Sequence, residues 1–175
     1  ITILREPVSH LHSHLNWLKK VGNDPASDYF RRHNDIIQRV ALKMNRFDFS
    51  TATGIREFIE NLEGMEFDLF DNCQSRFFLT KRPDKVLEYH FEEIRKNLSS
   101  FYCIGFTEKY DEFISEFCNK INVPVLTQKN EQKHLNKSKR KPLFQFNDPE
   151  ILDSINPLIE SDLKLYSLVQ SQKNG

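Results

Sequence analysis

The chain has 175 residues, and 25 Lys or Arg stand against 25 Asp or Glu, so its formal net charge is zero. That length buries a core without disulfide or metal staples, and 38% apolar residues with 15 Phe exclude a disordered chain. Charge balance removes the general electrostatic case for a nucleic-acid or membrane-surface binder, and there is no run of about 18 apolar residues to span a bilayer.

The opening Ile1-Thr-Ile-Leu is a β-branched run that reads as a buried strand, closed by Arg5-Glu6-Pro7. With no initiator Met, it reads as a segment of something longer, any targeting signal lying upstream. A helix is expected over 7–20, since Pro7 is welcome in a first turn. Val8, Leu11, Leu15 and Leu18 fall on one face of it, with His10, Ser13 and Trp17 roughly opposite. Gly22-Asn-Asp-Pro25 breaks the pattern, and 26–46 reads as one further helix with Ile36, Ile37, Val40 and Met44 on its apolar stripe. Ser50-Thr-Ala-Thr offers caps for a helix carrying Ile55, Phe58, Ile59 and Leu62.

Residues 71–79 are ambiguous between helix and loop. Arg82-Pro83-Asp84 is expected to start a helix running to about Leu98, and Phe101-Tyr-Cys-Ile-Gly-Phe is the second strand. Thr107 is expected to cap a helix with Phe113, Ile114 and Phe117 inward. Residues 127–147 read as a polar, Lys-rich loop, followed by a helix pair over 148–172. Alternating strand, helices, strand and helix indicate a single α/β domain over 1–175, helix-rich with a small parallel sheet. Three cysteines, Cys73, Cys103 and Cys118, form an odd and widely spaced set, which argues against a disulfide framework or a Cys-type zinc site.

Chemistry is expected where the first strand ends. Ligands of open α/β sheets bind beyond the carboxyl ends of the strands. Arg5 sits there, able to grip a phosphate bidentately, and Ser13 offers a hydroxyl off the core-facing stripe of the next helix. The alternative is an Arg that solvates a strand end and a Ser on an exposed face.

Arg5-Glu-Pro-Val-Ser-His-Leu-His-Ser13-His resembles the 3′-phosphate-binding segment of the Golgi-type carbohydrate sulfotransferases, written R-D-P-V-x-R-x-x-S, including the Arg-to-Ser spacing of eight. Three later segments are similar to that family in the same order. Asn72-Cys-Gln-Ser-Arg76 resembles its N-x-Q-T-R segment, and Ile104-Gly-Phe-Thr107-Glu108 its V-G-x-T-E turn. Asn156 with Ser161-Asp162-Leu-Lys-Leu-Tyr166 resembles its closing N-x-x-D-x-x-L-Y helix. Each motif is weak alone; their order across nearly the whole chain is the signal. The family includes the heparan sulfate 2-O- and 6-O-sulfotransferases. The resemblance implies a partial P-loop NTPase-like sulfotransferase fold that binds 3′-phosphoadenylyl sulfate (PAPS), needs no metal, and serves sulfuryl transfer to a carbohydrate hydroxyl. Carried over, Arg5 and Ser13 hold the donor's 3′-phosphate. The loop containing Asn136, Lys137, Ser138 and Arg140 matches the position of a family loop that closes over the nucleotide. Its composition agrees: residues 131–141 hold five Lys or Arg against one Glu, concentrated charge that suits a polyanionic nucleotide. A solvated excursion or a nucleic-acid patch is the competing reading of that loop, although it lacks aromatics interleaved for stacked bases.

Two departures stand out. Glu6 replaces the family's Asp, and its longer side chain is expected to be a poorer helix cap. His10 stands where a second Arg is common, and supplies charge only when protonated. No Gly-rich turn with Lys-Ser or Lys-Thr occurs among the five glycines (22, 54, 64, 105 and 175), and the resemblance implies that the phosphosulfate loop and the general base lie upstream of Arg5. The segment alone is therefore expected not to catalyse. A catalytically inactive interaction module of the same fold is the alternative. His10 and His14 share a helix face, but no Cys or carboxylate nearby completes a metal shell. Gln74 and Arg76 line a cleft or serve as an interior cap and ion pair; Tyr166 reads as packing. Membrane association is expected only through an upstream anchor. The compartment stays open between the Golgi lumen and a bacterial cytoplasm.

Overall fold

The computed structural model describes residues 1–125 and 142–174. Two strands and eight helices follow in order: β1 (Thr2–Leu4), α1 (Pro7–Gly22), α2 (Asp28–Arg31), α3 (Asp35–Met44), α4 (Ala52–Glu60), α5 (Cys73–Phe77), α6 (His90–Leu98), β2 (Ile104–Phe106), α7 (Tyr110–Lys120) and α8 (Pro149–Asn174). Short 3-10 turns occupy Gly64–Leu69 and Thr107–Lys109. β1 and β2 pair in parallel, with Thr2 opposite Ile104 and Leu4 opposite Phe106. The protein is thus helix-rich α/β with a small parallel sheet, as the alternation of elements predicts. Among the described residues no helix is long and apolar enough to cross a membrane.

Two apolar clusters form the interior. The first joins Leu11, Leu15 and Leu18 of α1, Val40 and Met44 of α3, Ile55 and Phe58 of α4, and Ile151, Ile155 and Leu158 of α8. The second joins Leu4, Phe106, Phe78, Ile94 and Leu98 to Leu165 and Val169 of α8. The stripe read on α1 is therefore buried, with Val8 only partly so. Gly22 lets α1 cross α3 closely, since a Cβ there would lie 2.4 Å from the Ala41 carbonyl oxygen. Gly105 does the same for α7 on β2, where a Cβ would meet Phe113 at 2.2 Å.

Several boundaries differ from the sequence expectation. The helix read over 26–46 is two, because Asn34 leaves helical geometry and its side chain caps α3 by accepting from the Ile37 amide at 3.0 Å. The helix expected from Arg82 begins only at His90, because Arg76 takes the Pro83 and Asp84 carbonyl oxygens and holds that stretch as loop. Thr107 does not cap α7; its hydroxyl donates to the Leu4 carbonyl oxygen at 3.0 Å, crossing from the end of β2 to the end of β1. Glu6, expected to cap poorly, caps α1 with both carboxylate oxygens, accepting from Val8 N at 3.0 Å and Ser9 N at 2.7 Å. Its extra methylene is absorbed by the backbone at φ −51°, ψ 125°.

The helix pair expected over 148–172 is a single helix containing Pro157. A proline in a helix interior removes an amide donor and opens the ladder. About one turn past Pro157, Asn72, in the left-handed region at φ 47°, inserts into the ladder. Its amide donates to the Leu158 carbonyl oxygen at 2.7 Å, and its Oδ1 accepts from the Ser161 and Asp162 amides at 2.7 and 3.1 Å. Asp162 returns the favour, its carboxylate accepting from the Gln74 and Ser75 amides at 3.1 and 2.6 Å and so capping α5. A residue that bonds within the α8 ladder, and an acid that caps α5 from mid-helix, tie the two helices together.

Candidate functional site

Arg5 leaves the carboxyl end of β1 with its backbone held rigidly. The Gln74 side-chain amide bridges it, Oε1 accepting from Arg5 N and Nε2 donating to Arg5 O, both at 2.9 Å. A primary amide used this way satisfies the strand edge as a neighbouring strand would. The next amide, Glu6 N, donates to Glu108 Oε1 at 2.9 Å, and Glu108 Oε2 accepts from the Tyr166 hydroxyl at 3.2 Å. The four sequence segments singled out above therefore meet by direct hydrogen bonds: 5–13 with 72–76 through Gln74 and with 104–108 through Glu108, and 72–76 with 161–166 through Asp162.

The side chains at this junction divide sharply. Arg76 is buried, and its guanidinium is fully engaged: Nε donates to the Asp71 carbonyl oxygen at 2.8 Å, and the terminal nitrogens reach the Asp71 carboxylate, Pro83 O and Asp84 O. It is an interior ion pair and leaves nothing for a ligand. Arg5, by contrast, is half-buried, and its guanidinium has no hydrogen-bond or ion-pair partner among the described residues. Its charge is felt on α1: burial first, then Arg5, lowers the pKa of both His10 and His12. Ser13 is exposed on α1 and its hydroxyl is likewise without a described partner. Helical periodicity sets Ser13 on the face of Ser9 and His10. No bond joins Arg5 to Ser13; what links them is their common position over the first two turns of α1. Asn136, Lys137, Ser138 and Arg140 lie outside the described residues.

The amino terminus of α1 is not an open anion site, because Glu6 already occupies the Val8 and Ser9 amides. Anion binding here falls to side chains. Other reactive groups are quenched. Burial, reinforced by the Asp162 charge, pushes the Cys73 thiol up to about 12. Burial and the adjoining Glu108 carboxylate push the Tyr166 hydroxyl up to about 12. Burial between Trp17 and Phe70, with His10 adding a smaller push, drives His14 down to about 4. A shallow groove of about 280 Å³ between α5 and the end of α6, lined by Phe77, Phe78, Leu79, Thr80, Asn97 and Phe101, carries no titratable group. Among the described residues no cluster of His, Cys, Asp or Glu is arranged for a metal.

Sequence reasoning missed two residues that shape the site. Gln74 was read only as a cleft or cap candidate, and its role as a surrogate strand edge carries no local sequence signal. Glu108 stands out in the sequence only as part of a turn, whereas its carboxylate fastens the Glu6 amide to Tyr166. Comparison of the chain with models of protein families, with curated proteins and with solved structures finds no match.

Proposed function

We propose that this chain binds the 3′-phosphate of 3′-phosphoadenylyl sulfate through Arg5 and Ser13, as the donor-holding part of a sulfotransferase acting on a carbohydrate hydroxyl. The observation that carries this reading is the contrast at Arg5. Side chains from two other segments hold its backbone and that of Glu6, while its guanidinium has no described partner at the carboxyl end of a parallel strand. A cation held in place and left unpaired is suited to a dianionic oxygen cluster, which it grips with two parallel N–H donors. Ser13 adds a hydroxyl donor, and Lys137 and Arg140 with Asn136 and Ser138 would add charge and donors from the basic stretch. The donor, when bound, supplies an activated sulfuryl group. The chain's own residues orient the nucleotide, and none of the described ones is poised as a base.

A second reading, a catalytically inactive interaction module of the same fold, is favoured by His10. Burial and Arg5 both disfavour its protonation, so it adds no cation where the related segments commonly have a second Arg.

Isothermal titration of the chain with 3′-phosphoadenosine 5′-phosphate separates the two. Donor binding predicts an affinity that Arg5→Ala weakens at least about tenfold, the loss of one charge-assisted pair. Adenosine 5′-phosphate, which lacks the 3′-phosphate, would not distinguish wild type from variant. Absence of binding, or equal affinity in Arg5→Ala, rejects the donor site.

A further inference from the structure

We infer that His12 is a pH-dependent latch, holding residues 143–146 against α1 only while its imidazole is neutral. The Leu143 amide donates to His12 Nε2 at 3.1 Å, a bond that requires a bare, accepting nitrogen. The remaining neighbours agree on that requirement. Asn16 Nδ2 donates to the His12 carbonyl oxygen at 3.1 Å, which fixes the amide orientation, and the same NH2 lies 3.0 Å from Nε2. Arg5, from the end of β1, adds a positive charge that opposes protonation. Phe144 and Phe146 close edge-on around the ring at centroid separations of 5.0 and 4.6 Å. Every polar group that the described residues aim at this imidazole is therefore a donor or a cation.

Among the described residues no carboxylate offsets this. Residues 142–147 carry no charge, and the Asp148 carboxylate is turned to the Glu150 and Ile151 amides at the start of α8. Protonation would put an N–H against the Leu143 N–H and leave the segment held only by apolar packing, with Phe144 buried in the first cluster and Leu143 against it. The latch stands independently of the donor-site reading, since it concerns how the chain docks on itself.

Hydrogen exchange at the backbone amides of 143–146, corrected for intrinsic rates, tests it between about pH 5 and about pH 7.5. In the wild type, protection of the Leu143 amide should fall by up to about tenfold per pH unit once the imidazole begins to titrate. His12→Gln, whose Oε1 accepts without titrating, should stay protected across the range, and His12→Lys should be unprotected throughout. Wild-type protection that does not vary with pH, or a His12→Gln chain that loses protection as the wild type does, overturns the latch. The ring ¹⁵N shifts of wild-type His12 provide a readout that needs no variant. Nε2 must change from bare to protonated over the same pH range in which Leu143 loses protection, and exchange that rises while Nε2 stays bare also overturns it.

Discussion

Arg5 and Arg76 are the two arginines of the strand-end region, and the fold treats them oppositely. Arg76 gives its donors to Asp71, Pro83 and Asp84 inside a junction that also contains Asn72 and Asp162. Arg5 has its backbone fixed and its head left without a described partner. The comparison teaches that rigidity and availability are supplied by different atoms of the same segment. The Gln74 and Glu108 side chains hold the backbone, and the backbone then presents a cation without a described partner.

The largest expected effect breaks the saturated side. Arg76→Ala leaves the buried Asp71 carboxylate without its cation, the Asn72 side-chain amide remaining on it, a situation that costs about 3–5 kcal/mol, read as a lower urea midpoint with an unchanged slope. Arg5→Ala should leave stability within about 0.5 kcal/mol, as expected for a side chain with no partner among the described residues. Equal losses from the two substitutions would erase the distinction.

Next comes pH. His14 packs between Trp17 and Phe70 and falls from 6.5 to about 4 on folding. Because its folded pKa is depressed, the unfolded chain takes up the proton first, so stability is fully present above about pH 6.5 and declines as pH falls toward about 4. The shift corresponds to about 3 kcal/mol. Urea unfolding near pH 7 and near pH 4, with His14→Phe as the non-titrating control, should show the variant losing less on acidification by roughly that amount.

The smallest effect sharpens the picture at the boundary. Glu6→Ala removes the cap from Val8 N and Ser9 N and should cost about 1 kcal/mol in thermal or urea unfolding. It also frees those two amides beside Arg5. A substitution that lowers stability while raising anion affinity would show that Glu6 reserves the helix end for itself.

The helix-rich α/β class was legible because periodicity reports burial: Leu11, Leu15 and Leu18 lie in the first cluster and Leu4 and Phe106 in the second. Bonds between distant segments were not legible. Pro157 reads locally as a helix breaker, whereas α8 continues through it and takes Asn72 into its ladder about one turn later. Thr107 reads as a cap, and only the parallel pairing brings the Leu4 carbonyl within its reach. Glu6 was misjudged because side-chain length was weighed without the backbone's freedom to adjust. At the site, Arg5 was visible from its place after a β-branched run, whereas the Gln74 bond to its backbone and the Glu108 bond to the next amide, Glu6 N, span 69 and 102 residues of chain.

α8 passes from one apolar cluster into the other, with Ile151, Ile155 and Leu158 in the first and Leu165 and Val169 in the second. A rod shared in this way couples their melting: fraying one end withdraws large side chains from a core that the other end helps to close. The two halves should therefore unfold in a single cooperative transition, and the Asn72 splice, midway along the rod, is where that cooperativity would first be severed.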